Sequence, residues 1–212
     1  MTIRAVIFDF GGVFVDSPFT AMTDAANARD LDPDQTMLAI FGDYAADTDH
    51  PWHRLERGEI TVVEARDAIV DASQRDMGVA VDPFEFLAAL SGGGLRDDMV
   101  DFVKDLRGRG LATGLLTNNA KEFQEFWRPL MPLDELFDDV IDSSEVGIRK
   151  PDRRIYELAL ERLGVTADEA VFVDDAPGNI AGAEVVGITG VLIGTARSDV
   201  AAAIAAIDAL VV

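Results

Sequence analysis

No cysteine occurs anywhere in this chain of 212 residues. That excludes a disulfide framework, a thiolate nucleophile and any zinc site built on cysteine. Lysine is nearly as scarce: Lys104, Lys121 and Lys150 are the only three among 18 basic residues. Arginine in place of lysine, with abundant aspartate, fits either a GC-rich genome or a high-salt cytoplasm. Positive charge of any kind is short, with 39 acids giving a formal charge of −21 and a pI near 4.2. Such a surface repels phosphate backbones and anionic headgroups, so nucleic acids and membrane surfaces are not expected partners. No apolar run approaches the ~18 residues that a membrane span requires. The opening MTIRAVIFDF has one arginine and a short apolar run ending in Asp9, without a cleavage site, so no signal peptide is expected. The expectation is a soluble cytoplasmic protein.

What is present is a chain that is 49% hydrophobic, long enough to bury a sizeable core without staples. Residues 3–8 (IRAVIF) form a β-branched apolar run, read as a buried strand that stops at Asp9, and Gly11-Gly12 make the turn after it. From about 16 to 95 the pattern is helical. Thr61 and Glu64 form a capping box that opens a helix to about residue 75. Gly92-Gly93-Gly94 marks a joint.

After the joint, strand and helix alternate. Helices are expected at 97–109, around Phe123, Phe126 and Trp127 up to Pro129, at 153–163 and at 179–186. Strands are expected at 111–116, near Val140-Ile141, at 170–173 and at 191–193. An alanine-rich helix ends the series. Alternation of this kind means an α/β fold with a parallel sheet covered on both faces. The strands stop at Asp9, Thr117-Asn118, Asp142-Ser143 and Asp174-Asp175. Ligands bind outside the carboxyl ends of such strands, so Asp9, Thr117 and Asp174 are expected to converge on one crevice.

Taken alone, Asp9 serves equally well as a helix cap, Lys150 as a solvated lysine, and Asp174-Asp175 as turn acids. Their order along the chain says more. Asp9 in FDFGGV, Thr117-Asn118, Lys150 in EVGIRKPD and Asp174-Asp175 in VFVDDAPGN together resemble the haloacid dehalogenase superfamily. The resemblance spans nearly the whole chain. It implies a Rossmann-like three-layer core with an inserted small α-helical cap, the core at 1–15 and 95–212 and the cap at 16–94.

The resemblance also implies roles. Asp9 is the expected nucleophile, forming an aspartyl phosphate that water hydrolyses; a covalent step splits one hard displacement into two easier ones. Thr117, Asn118 and Lys150 would hold the phosphoryl oxygens, whose spread charge makes placement and neutralisation the main tasks. Asp9, the Gly11 carbonyl, Asp174 and Asp175 would hold Mg²⁺, a cation suited to a few carboxylates plus water and substrate phosphate. In that pattern Asp174 ligates directly, and Asp175 directly or through water. Asn179 is expected to cap the following helix and brace the site. Arg149 is expected at the surface or in an ion pair.

One departure matters. Phosphatases of the superfamily carry a second Asp two residues after the nucleophile, as general acid and base, and Gly11 stands there. General acid–base help is worth ~10²–10⁴-fold, so leaving groups that depart without protonation would suffer least. First motifs with Gly-Gly or Gly-Asn occur in some branches, and GGV resembles those. His50, Trp52, His53 and Arg54 lie in the expected cap; ordinary packing or surface positions are expected for each, with substrate contact as the alternative. The reading is a Mg²⁺-dependent phosphatase of a small phosphorylated metabolite. A non-catalytic phosphate-binding module and a metal-independent haloacid dehalogenase remain alternatives, and the oligomeric state is open.

Overall fold

The computed structural model describes residues 2–87, 94–196 and 198–211, with residues 18–20 as backbone. Gly92 and Gly93 of the expected joint lie outside the described residues. Five strands form one parallel sheet: β1 (Ala5–Phe8), β2 (Ala112–Thr117), β3 (Asp139–Asp142), β4 (Ala170–Asp174) and β5 (Thr189–Leu192). Their order is β3-β2-β1-β4-β5, so the order reverses between β1 and β4. That reversal opens a crevice at the carboxyl ends of β1 and β4. The register pairs Phe8 with Val173, which sets Asp9 and Asp174 side by side at the rim. Asp9 extends the pairing, its N–H donating to the Val173 carbonyl at 2.8 Å.

Successive side chains of a strand point to opposite faces, and both faces here are apolar. Val6, Phe8, Leu115, Val171 and Val173 face α6 (Asp97–Gly108) and α12 (Asp199–Leu210). Ile7, Leu116, Ile141 and Phe172 face α10 (Arg153–Leu163) and α11 (Pro177–Val185). The result is the expected three-layer core.

Between β1 and α6 the chain inserts five helices: α1 (Pro18–Asn27), α2 (Pro33–Phe41), α3 (Pro51–Glu56), α4 (Val62–Asp76) and α5 (Pro83–Leu87). They surround an apolar cluster of their own, with Met22, Ile40, Leu55, Ile69 and Phe86 at its centre. This is the inserted helical cap. The capping box at α4 forms as expected, Thr61 and Glu64 each accepting from the other's backbone N–H. The aromatic stretch after β2 differs from one continuous helix. It folds as a 3₁₀ turn (Lys121–Phe123), α7 (Gln124–Trp127) and a second 3₁₀ turn (Arg128–Leu130). The short helices α8 (Leu133–Leu136) and α9 (Ser143–Val146) flank β3. Among the described residues no helix is long and apolar enough to cross a membrane.

Candidate active site

Strand ends and the turns after them supply the polar floor of a cavity of about 730 Å³. Asp9, Gly11, Thr117, Asn118, Lys150 and Asp175 all line it. At the centre is Lys150, fully buried in the turn that leads to α10. Its ammonium donates to three oxygens: Asp9 Oδ1 at 2.8 Å, Asp174 Oδ2 at 2.7 Å and the Leu116 carbonyl at 2.9 Å. An ammonium has three protons, so its donors are all used and its position is fixed. The loop that carries it is clamped too: Lys150 N–H donates to Asn118 Oδ1 at 2.8 Å, and Asn118 Nδ2 donates to the Lys150 carbonyl at 3.0 Å. The Asn118 side chain thus serves the lysine loop.

Three acids surround that one cation. Asp9, Asp174 and Asp175 each bring a carboxylate oxygen within 4.8 Å of the others. Burial, with Asp174 and Asp175 nearby, pushes the Asp9 carboxyl up to about 8 against the pull of Lys150. Asp175 is pushed up to about 6 by burial and then by Asp174. Lys150 is held above its usual range: burial opposes its charge, but Asp174 and Asp9 outweigh that. Three carboxyl groups share one ammonium, so ionising all of them leaves excess negative charge, which a hard cation relieves.

The acidic pair divides its work. Asp174 is fully buried and spent on the protein, its Oδ1 accepting from Ala176 N–H at 2.8 Å. Its Oδ2 accepts from Lys150 and from Asn179 Nδ2 at 3.0 Å. Asp175 faces the cavity, and its buried Oδ2 has no protein partner. An orphaned carboxylate oxygen beside other acid oxygens is the donor set that Mg²⁺ takes. Asn179 braces the site but is not a cap: it lies inside α11, and Ala176 is the capping residue.

Gly12 explains the second glycine of the first motif. Its φ is +70°, and a Cβ there would sit 2.1 Å from Asp175 Oδ2. Only glycine combines that turn with so close an approach. Arg96, buried behind it, donates to the Gly12 carbonyl and to the Thr195 carbonyl.

Above the floor the cap and core meet in a second polar knot. Arg149 is wholly buried rather than at the surface, and it takes the expected alternative of an ion pair: α3 covers it, and its Nε lies 2.7 Å from Glu56 Oε2. Tyr44 Oη and Trp52 Nε1 both donate to Glu56 Oε1 at 2.9 Å. Burial, then the Glu56 charge, raises the Tyr44 phenol well above its usual range, so it keeps its proton at neutral pH and holds it toward Glu56. Of the expected cap residues, Trp52 reaches the cavity. His53 is buried against Thr48, accepting its N–H at 3.1 Å, and His50 caps α3. Arg54 pairs with Glu59 near the surface. Glu56, Tyr44 and the apolar walls carried no motif in the sequence. The one visible signal was the run of Phe123, Phe126 and Trp127 just after a strand end.

Known proteins resemble this chain in sequence and in fold. The family model for haloacid dehalogenase-like hydrolases matches residues 3–187. The chain is 33% identical over 192 residues to acyl-CoA dehydrogenase family member 10 of Mus musculus, covering 87% of this chain but 17% of that protein. It is 30% identical over 197 residues to the sesquiterpene phosphatase astK of Aspergillus oryzae, covering 89% of each. Among solved structures, a haloacid dehalogenase family enzyme of Bacteroides thetaiotaomicron, crystallised with magnesium and inorganic phosphate, superposes with a TM-score of 0.61. That match is 21% identical and covers 91% of this chain and 95% of the other, a likeness of fold. From the match across most of its length, the chain belongs to the haloacid dehalogenase-like hydrolases.

Proposed function

We propose that this protein is a Mg²⁺-dependent phosphatase of a small phosphorylated molecule, with Asp9 as nucleophile. One observation carries the reading: Asp9, Lys150 and the half-satisfied Asp175 meet at the floor of a cavity large enough for a substrate. The Asp9 carboxylate attacks phosphorus while the ester P–O bond breaks, leaving an aspartyl phosphate and the departing oxygen. Water then attacks the same phosphorus and frees Asp9 and phosphate. Lys150 orients the nucleophile through its 2.8 Å hydrogen bond and places positive charge beside the phosphoryl group. Thr117, through its hydroxyl, and Asn118, through its backbone N–H, cradle the phosphoryl oxygens.

Asp9, the Gly11 carbonyl, Asp174 and Asp175 would hold the metal, Asp175 through the oxygen left without a hydrogen-bond partner and Asp174 while also steadying Lys150. A bound Mg²⁺ supplies charge that offsets the three carboxylates and the phosphate. Gly11 offers no carboxylate, so the leaving oxygen departs without a proton from that position. The acid-rich cluster favours this reading over a metal-independent dehalogenase. The bodies of the molecule are assigned as a core at 1–15 and 95–212 and a cap at 16–94, the cap closing over the substrate.

The test is turnover of an aryl phosphate by the purified chain. Hydrolysis should stop in chelator and return with Mg²⁺. Asp9→Asn should remove it while leaving the circular dichroism spectrum intact. Undiminished turnover in chelator, or in Asp9→Asn, would place the chemistry elsewhere.

A further inference from the structure

Above its polar floor the cavity changes character. Its walls come from both bodies of the chain: Phe41 and Trp52 from the cap, Phe10, Phe126, Trp127 and Leu130 from the core. The rings interlock, Phe41 with Trp52 at 5.0 Å edge-to-face and Phe10 with Trp127 at 5.2 Å. Phe126 and Leu130 stand at 74% and 52% exposure, large apolar side chains left in water where they line the cavity. The ring pairs are packed and buried, while Phe126 and Leu130 offer apolar surface to an occupant of the cavity.

The polar groups of the walls do not compensate. Tyr44 and Trp52, which line it, have already given donors to Glu56. Along the aromatic stretch a sugar or polyol would set most of its hydroxyls against rings and methyl groups, with Trp127 Nε1 the donor left there to meet them. Nor is there charge for a second anion. Among the described residues that line the cavity Lys150 is the single cation, and it is held by Asp9 and Asp174. A carboxylate or second phosphate would meet Asp16 and Glu56 instead.

We infer that the substrate is a monophosphate whose other end is an uncharged hydrocarbon group lying along the Phe10–Trp127 and Phe41–Trp52 walls. The inference rests on the phosphatase reading for which end lies at the floor, and adds the class of molecule. Each methylene moved from water to such a wall strengthens binding about threefold to fourfold until the cavity is filled.

The experiment is calorimetric titration of the chain, with Mg²⁺, by methyl-, butyl-, hexyl- and octylphosphonate, non-hydrolysable and below micelle-forming concentrations. Affinity should climb about threefold to fourfold per methylene along the series. Phe126→Ser, at an exposed position that folding does not depend on, should lower the ratio of octyl to butyl affinity several-fold. A flat series, or tighter binding of glucose 6-phosphate or phosphoserine than of octylphosphonate, overturns the inference. Turnover of p-nitrophenyl phosphate is measured in parallel. Turnover with a flat series sinks the hydrocarbon assignment alone; a rising series without turnover upholds it and sinks the phosphatase reading.

Discussion

The guanidinium of Arg149 lies 2.7 Å from the Glu56 carboxylate, and both side chains are buried. Glu56 ends α3 of the cap, and Arg149 immediately precedes Lys150. The pair therefore joins the inserted helices to the loop that carries the active-site lysine. At Gly178 the two bodies come close again, where an added Cβ would meet Ala45 Cα at 2.7 Å.

Breaking that pair from one side leaves a buried charge without its partner, which costs about 3–5 kcal/mol. Glu56→Gln and Arg149→Met are each expected to lower unfolding free energy by that amount in urea titrations. The double variant Glu56→Gln/Arg149→Met should recover much of the loss. Near-additive losses would show that the two residues act separately.

Asp174 and Asp175 are neighbours with different duties. Asp175→Asn should raise the Mg²⁺ concentration for half-maximal turnover tenfold or more, because the acid facing the cavity is gone. Asp174→Asn should in addition lower the maximal rate at saturating Mg²⁺, as Lys150 loses an anchor. An unchanged maximal rate in Asp174→Asn at saturating Mg²⁺ would contradict the division.

Gly12→Ala meets two obstacles, a φ of +70° and the Asp175 carboxylate. Gly147 has the same φ of +70° with nothing within 4 Å of the added Cβ. Gly147→Ala should therefore cost only the backbone term, about 1–2 kcal/mol. Gly12→Ala should cost more in thermal melts and also remove turnover. A Gly12→Ala protein with ordinary stability and Mg²⁺-dependent activity would mean that the turn readily shifts.

Burial, then the Arg149 charge, lowers His53 to about 3, against 6.5 for an unperturbed histidine. The folded ring stays neutral while the unfolded ring gains a proton below 6.5. Its contribution is complete above that pH and is lost as pH falls from 6.5 towards 3. Between pH 7 and pH 5 the loss is about 1–2 kcal/mol. His53→Asn, which keeps an acceptor for the Thr48 N–H, should flatten this acid limb in urea midpoints. An unchanged limb would assign the acid sensitivity to other groups.

With glycine at position 11, the proposed reaction is expected to depend on the leaving group. Substituted phenyl phosphates should show a steep fall in turnover as the phenol pKa rises, and Gly11→Asp should flatten it by up to ~10²-fold at the basic end. Neither histidine lines the cavity among the described residues, and Tyr44 is locked to Glu56. A shallow slope in the natural protein would mean that a bound water already supplies the proton.

Much of this molecule is local in origin. The run at 3–8 is too apolar and β-branched to sit anywhere but in a covered strand, and it leads directly into Asp9 at the rim of the sheet. The Thr61/Glu64 box, the amphipathic face of α6 and the alternation after residue 95 are likewise written in spacing. Three strand ends, bearing Asp9, Thr117-Asn118 and Asp174-Asp175, sufficed to anticipate the floor, while the fourth, Asp142, caps α9 instead. Spacing could not say which of two adjacent acids is spent on the protein, since that depends on where Lys150 and Asn179 arrive from distant segments. It could not place Arg149 inside, because its partner lies 93 positions away on a cap helix. Nor could it separate Phe126, half of a cavity mouth, from an ordinary core phenylalanine. Burial of a side chain is a property of what folds over it, and only the packing of cap on core decides that.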